Sequence, residues 1–168
     1  MRWLAQLLGR KSPQASLWSG TVLTAADFNA QVGNLWPAAD ESYAVLRAAA
    51  LRDHYLWFRG EIVKLGINTG EPAFDCDNFA HLFRDFTNIK FYTSQWKGDC
   101  PKAQSAAVAA YWFRFYRDRY FGAALPPNSA HAINVVVTDE GVKWIEPQTG
   151  EIITLNENEI ASRFNIIT

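Results

Sequence analysis

The chain has 168 residues, 49% of them hydrophobic and 20% charged, which suits one globular domain, 1–168, with a genuine core. Sixteen basic residues against seventeen acidic ones leave a net charge of −1, so no basic footprint for nucleic acid is present. No apolar run approaches the roughly 20 residues that a membrane span requires, which argues against a membrane partner.

Residues 1–9, MRWLAQLLG, make a poor secretory signal, because Gln6 interrupts the apolar run and no small-residue cleavage site follows it. The expected location is therefore the cytoplasm. Residues 10–22 are polar and rich in Ser, Gly and Pro, so residues 1–22 are expected to be loosely attached. Thr24 to Asp27 has the shape of a capping box, opening a short helix that runs to Val32 and ends at Gly33. A longer helix is expected after Pro37, with Val45, Leu46, Ala49, Leu56 and Trp57 as its apolar stripe. Gly60, Gly66 and Gly70 then read as a loop.

Phe79, Leu82, Phe83 and Phe86 recur at helical spacing, which places Cys76 at a helix N-terminus with Asp75 as its cap. After the turn Gly98-Asp99-Cys100-Pro101, the alanines and aromatics of residues 102–121 predict another helix, stopped by Gly122 and the prolines at 126 and 127. From His131 the period changes. Residues 131–137 read as a strand, Asp139 to Gly141 as a hairpin turn, and Val142 to Glu146 as the returning strand. Residues 147–150 form a second turn, residues 152–155 a further strand, and residues 164–167 a last one. Helices first and strands afterwards predict an α+β fold, the helical N-terminal half packed on a small antiparallel sheet.

Cys76, His131 and Glu146 stand out within that frame. A helix N-terminus stabilises a thiolate, a histidine takes the thiol proton, and a third polar group orients the imidazole. A turn centred near residue 139 sets a position close to 132 across from one close to 146, so His131 and Glu146 are expected as cross-strand neighbours. An anion at Asp75 works against the thiolate. Gly-rich phosphate cradles, paired metal-binding motifs and a G-x-S-x-G elbow are all missing from the sequence.

The blocks FDCDNFA (74–80), HAINVVV (131–137) and WIEPQTGEI (144–152) resemble, in this order, the papain-like cysteine peptidase domain attached to the Marasmius mushroom agglutinin, and related small bacteriophage proteins. The resemblance spans about residues 70–155. It implies a papain-like or transglutaminase-like fold, with Cys76 as nucleophile, His131 as base and Glu146 as orienting residue. It further implies a peptide or protein substrate, a host cytoplasm if the chain is phage-encoded, and calcium as a candidate ion with no assigned ligands; no cofactor is otherwise expected. Sugar binding does not carry over, since the chain has no lectin repeat. The glutamine that papain-like enzymes place shortly before the nucleophile is absent, leaving the Cys76 N–H and either Trp36 or Asn68 as candidate oxyanion donors. Two alternatives stand beside this reading: a cell-wall amidase or endopeptidase of the NlpC/P60 kind, and a non-catalytic binding protein on a peptidase scaffold.

Other features have simpler expectations. Cys100 reads as a turn thiol, and Asp77 with His81 as a helical pair joined by a structural hydrogen bond rather than as metal ligands. Tyr111, Trp112, Phe115, Tyr116 and Tyr120 read as core, with Arg114, Arg117 and Arg119 among them.

Overall fold

The computed structural model describes residues 16–33, 40–67, 75–126 and 128–168. In chain order, strand β1 (Trp18–Thr24) leads into helix α1 (Ala25–Val32), strand β2 (Ser42–Leu46), a 3-10 turn at Ala48–Ala50, and helices α2 (Leu51–Lys64) and α3 (Cys76–Lys97). Strands β3 (Ser105–Ala106), β4 (Val108–Arg114), β5 (Arg119–Tyr120), β6 (Ala123–Ala124), β7 (Ala130–Thr138), β8 (Gly141–Ile145) and β9 (Ile152–Ile153) follow, then helix α4 (Glu157–Ala161) and strand β10 (Asn165–Ile167). The class is α+β.

An eight-stranded sheet carries the order β1-β2-β7-β4-β10, with β3 beside β2 and β8 bridging β7 to β9. Most pairings are antiparallel, but β2 runs parallel to β3 and β7, so the sheet is mixed and larger than the small antiparallel one expected. Strands β5 and β6 form a separate two-stranded ribbon. The N-terminal half is not purely helical either: β1 and β2 pair with each other, and Trp18 is buried. Within the stretch expected to be loose, residues 18–22 are therefore sheet, and residues 1–15 lie outside the described part.

Two expected helices are strands, for the same physical reason. Tyr43, Ala44, Val45 and Leu46 are all buried in β2, in a continuous apolar run suited to a strand covered on both faces. The helix starts only after residue 50, and it runs straight through Gly60 to Lys64. Residues 108–114, which carry Ala109 and Ala110 before their aromatics, are a buried strand between β7 and β10. Alanine is a good helix former on its own, but here its small side chain serves packing, and tertiary contact overrides propensity.

Those alanines bring α3 close to the sheet. Ala80 of α3, Ala110 of β4 and Ala132 of β7 are fully buried together, with Cys76 and Trp112 packed around them. Asn134, also fully buried, donates from Nδ2 to the Ala80 carbonyl at 2.9 Å and to the Ala109 carbonyl at 3.3 Å. One side chain thus fastens the beginning of α3 to the centre of the sheet.

Further along α3 lies the aromatic core, in which Phe58 and Phe83 meet edge to face. His54 is buried among these rings, stacked on Trp57 and set edge-on to Phe83. Its Nε2 lies 2.8 Å from Thr87 Oγ1, and Thr87 donates its own hydroxyl proton to the Phe83 carbonyl at 2.7 Å. Thr87 therefore accepts from His54, which fixes the proton on Nε2 and leaves the buried Nδ1 without a partner. Burial first, and then the charge of Lys90, lower the His54 pKa from 6.5 to about 3.

Because the unfolded chain takes up a proton near 6.5 and the folded one only near 3, stability falls as pH drops through that window. The expected loss is on the order of 4 kcal/mol between neutrality and pH 3. Urea unfolding at a series of pH values should show the decline in the wild type and a much shallower one in His54→Leu; equal slopes would remove His54 as the cause.

Candidate functional site

Cys76 is the first residue of α3 and is half-buried. As N1 its own N–H has no acceptor within the helix. The cap is Asp75, as expected, and its N–H donates to Asn78 Oδ1 at 3.3 Å. Asp77 folds back, accepting the Asn78 N–H at 3.0 Å. A hydrogen bond between the Asp75 and Asp77 side chains is the largest influence on both, raising the first carboxyl and lowering the second. A proton shared there at low pH reduces the negative charge beside Cys76.

His131 is the second residue of β7, with its side chain 11% exposed. The Phe115 ring stacks on it at 5.1 Å and 25°, while Tyr120 and Phe113 meet it edge-on at 5.2 Å and 6.1 Å. Glu146 follows the last residue of β8 and is 1% exposed. The observed register pairs Asn134 with Ile145, and one more step sets Glu146 across from Ile133 rather than from position 132. His131 is two residues from Ile133 and so on the same face, diagonal to Glu146 and within reach of it. The two side chains meet: His131 Nε2 is 2.6 Å from Glu146 Oε2.

With Nε2 committed to Glu146, Nδ1 is the ring nitrogen left for sulfur, and Cys76 lies close enough to the ring to raise its pKa. Burial is the largest single influence on His131 and opposes its charge. The neighbouring Cys76 and Glu146, together with their charges, outweigh it and raise the pKa from 6.5 to about 9. At neutral pH the ring is an imidazolium, donating from Nε2 to the carboxylate. The structure thus brings Cys76, His131 and Glu146 together.

Two further groups, which the sequence reading did not assign to the site, complete the surroundings of Glu146. Tyr120, expected as core, donates its hydroxyl to Oε2 at 2.7 Å, and the Gln148 N–H donates to Oε1 at 3.1 Å. The turn bearing Gln148 is held in place by Tyr55 of α2, whose hydroxyl donates to the Gln148 carbonyl at 3.2 Å. Gly150 in that turn has a φ of 80°, and a Cβ there would overlap the Tyr55 ring. Nothing local in the sequence signals Tyr120, which sits 26 residues from its partner in a crowd of aromatics.

The remaining expectations fall outside the cluster or beyond the described residues. Trp36 and Asn68, the candidate oxyanion donors, lie outside the described residues. His81 packs its ring against Trp112 at 5.1 Å, and the hydrogen bond expected between it and Asp77 is replaced by an electrostatic attraction. Among the described residues no group of three or more His, Cys, Asp or Glu side chains is arranged to hold a metal ion, so no calcium site can be assigned to them. Cys100 lies past the other end of the 22-residue helix α3, far from Cys76. Its thiol points at the Phe91 carbonyl, and burial, then Asp99, raise its pKa. Of the expected aromatic core, Tyr111 and Phe115 are buried while Tyr116 is exposed. Arg117 pairs with the buried Glu159, and Arg114 lies over the Phe164 ring, which uses two of the three arginines structurally. Among the described residues no helix is long and apolar enough to cross a membrane.

No family model and no curated protein sequence matches the chain. Its fold is similar to that of a solved Polyporus squamosus lectin bound to the human-type influenza-binding epitope Neu5Aca2-6Galb1-4GlcNAc, with a TM-score of 0.56 and 18% identity over 88% of this chain and 49% of that one. A solved complex of PSL1a with E64 matches with a TM-score of 0.47 and 21% identity, over 87% of this chain and 48% of that one. The chain spans about half the length of each, and at such identity the likeness to the first is one of fold alone.

Proposed function

We propose that this chain is a cysteine hydrolase of papain-like or transglutaminase-like type, acting on an amide bond of a peptide or protein. The observation that carries the reading is the His131 ring, hydrogen-bonded to the buried Glu146 on one side and influenced by the nearby Cys76 thiol on the other. A structural histidine has no need of both a thiol beside it and a buried carboxylate at its Nε2. Cost points the same way. A carboxylate buried to this degree has a large desolvation penalty, which is offset by placing a cation beside it.

In the proposed reaction Cys76 Sγ, as thiolate, attacks the carbonyl carbon and forms a C–S bond. The charge passes to the carbonyl oxygen, which the Cys76 N–H is placed to receive. Collapse breaks the C–N bond, and the leaving amine takes the proton from His131 Nδ1. Water then attacks the thioester and gives its proton back to His131. The C–S bond breaks and the acid is released. Glu146 keeps the ring oriented and supports its positive charge throughout, without itself moving a proton. Sugar recognition of the kind seen in the Polyporus squamosus lectin gains no support from the arrangement of these residues.

Brief iodoacetamide labelling near pH 6 should modify Cys76 far faster than Cys100, as read by peptide mass spectrometry. Only Cys76 has both a helix N-terminus and an imidazolium beside it. Equal labelling would remove the nucleophile assignment. In digests of denatured protein mixtures, Cys76→Ala and His131→Ala should each abolish cleavage; Cys76→Ala should leave the melting temperature nearly unchanged, whereas His131→Ala should lower it by leaving the buried Glu146 without its cation.

Glu146→Gln keeps the shape but removes the charge. The His131 pKa should fall from about 9 toward its ordinary value, and Cys76 alkylation at neutral pH should slow roughly ten- to hundredfold, the worth of a hydrogen bond to a charged group. Since the folded pKa lies above the unfolded one, the stability from this pair is complete below about 6.5 and lost as pH rises through about 9. The variant should lack that alkaline decline. An unchanged pH–rate profile would place Glu146 outside the site.

A further inference from the structure

The Glu146 carboxylate accepts two side-chain donors on the same oxygen. His131 Nε2 and Tyr120 Oη approach Oε2 at 2.6 Å and 2.7 Å, while Oε1 takes the Gln148 N–H. A carboxylate oxygen has two in-plane lone pairs, so Tyr120 fills the position on Oε2 that His131 leaves. With donors on both oxygens, rotation of the carboxylate about its bond to the chain would break all three contacts. We propose that Tyr120 is a positioning residue of the site, its hydroxyl locking the Glu146 carboxylate in the orientation that serves the His131 ring. The proposal rests on the reading of Cys76, His131 and Glu146 as a hydrolase site and assigns to it a fourth side chain.

The location of Tyr120 supports this role. It belongs to the ribbon of β5 and β6, which is separate from the main sheet, so nothing in the sheet ladder requires a tyrosine there. Its ring packs on Phe115 at 4.5 Å and edge-on to His131 at 5.2 Å, which would be served equally well by phenylalanine. The hydroxyl is therefore what distinguishes it. Burial first, then the charge of Glu146, push the Tyr120 pKa far up, so it remains a neutral donor throughout the working range of the site. Besides Cys76, His131 and Glu146, the titratable groups facing this cluster are Tyr55, Arg117 and Glu151.

Tyr120→Phe separates three roles by sign. If the hydroxyl positions the carboxylate, its loss lets Glu146 turn from the ring; the His131 titration moves down, and Cys76 alkylation at neutral pH slows roughly tenfold. If the hydroxyl only competes with His131 for Oε2, its loss strengthens the remaining bond and the titration moves up. If Tyr120 is a spectator, neither quantity changes. The last two results each overturn the proposal. Both readouts, histidine-ring NMR and iodoacetamide kinetics, work without turnover, so failure to find a hydrolysed substrate would count against the hydrolase reading and leave this test intact. Should the variant not fold, proton NMR of the wild type decides. The Tyr120 hydroxyl proton should exchange slowly and shift with the His131 titration, and exchange at the solvent rate would overturn the assignment.

Discussion

Close approach of one helix to one strand governs the geometry of this molecule. Cys76 lies one turn before Ala80, and His131 lies three residues before Asn134. The hydrogen bond from Asn134 to the Ala80 carbonyl therefore helps to set the distance between the Cys76 thiol and the His131 ring. The approach is possible because the contact is lined by alanines, and a larger residue at Ala80, Ala110 or Ala132 would lift the helix from the sheet. A polar side chain in the middle of an apolar interface costs desolvation unless it is bonded. Asn134 spends that cost on specificity, because apolar packing alone would allow the helix to slide along the sheet.

Charge is handled in a comparable way. Glu146 and Glu159 are both fully buried, and each is surrounded by donors: His131, Tyr120 and a backbone N–H for the first, Arg117 and backbone N–H groups for the second. Glu159 joins β4, α4 and the chain between them, with an always-charged arginine as its partner. Glu146 is paired with a histidine, whose charge depends on pH. Only the pair of Glu146 and His131 can release or accept a proton, at about pH 9, and this chemical difference separates the structural carboxylate from the one at the candidate site.

Much of the site was legible in the sequence because its parts sit at element boundaries with strong local signals. The apolar spacing after Cys76 located a helix start, and the hairpin after Val137 located His131 and Glu146 within one residue of register. What failed was the reading of alanine and of aromatic crowding. Ala109 and Ala110 extend an alanine-bearing run that suits a helix, but the environment of residues 108–114 is two-sided burial between β7 and β10, which no local window contains. Residues 42–46 failed likewise, an apolar run being compatible with either period. Tyr120 was hidden for another reason. Its partner is distant in sequence, and a tyrosine among phenylalanines gives no sign of which hydroxyl has a task.

Gly150 places a limit on how this sequence can drift. Its backbone is left-handed, and the Tyr55 ring occupies the space where any side chain would begin. A change at position 150 is blocked while Tyr55 is present, and losing Tyr55 first frees the turn that presents the Gln148 N–H to Glu146. Neither residue touches the thiol, yet neither can be replaced alone without disturbing it. In divergent descendants the two positions should therefore be inherited as a pair, with the order of substitution constrained so that position 55 gives way before position 150.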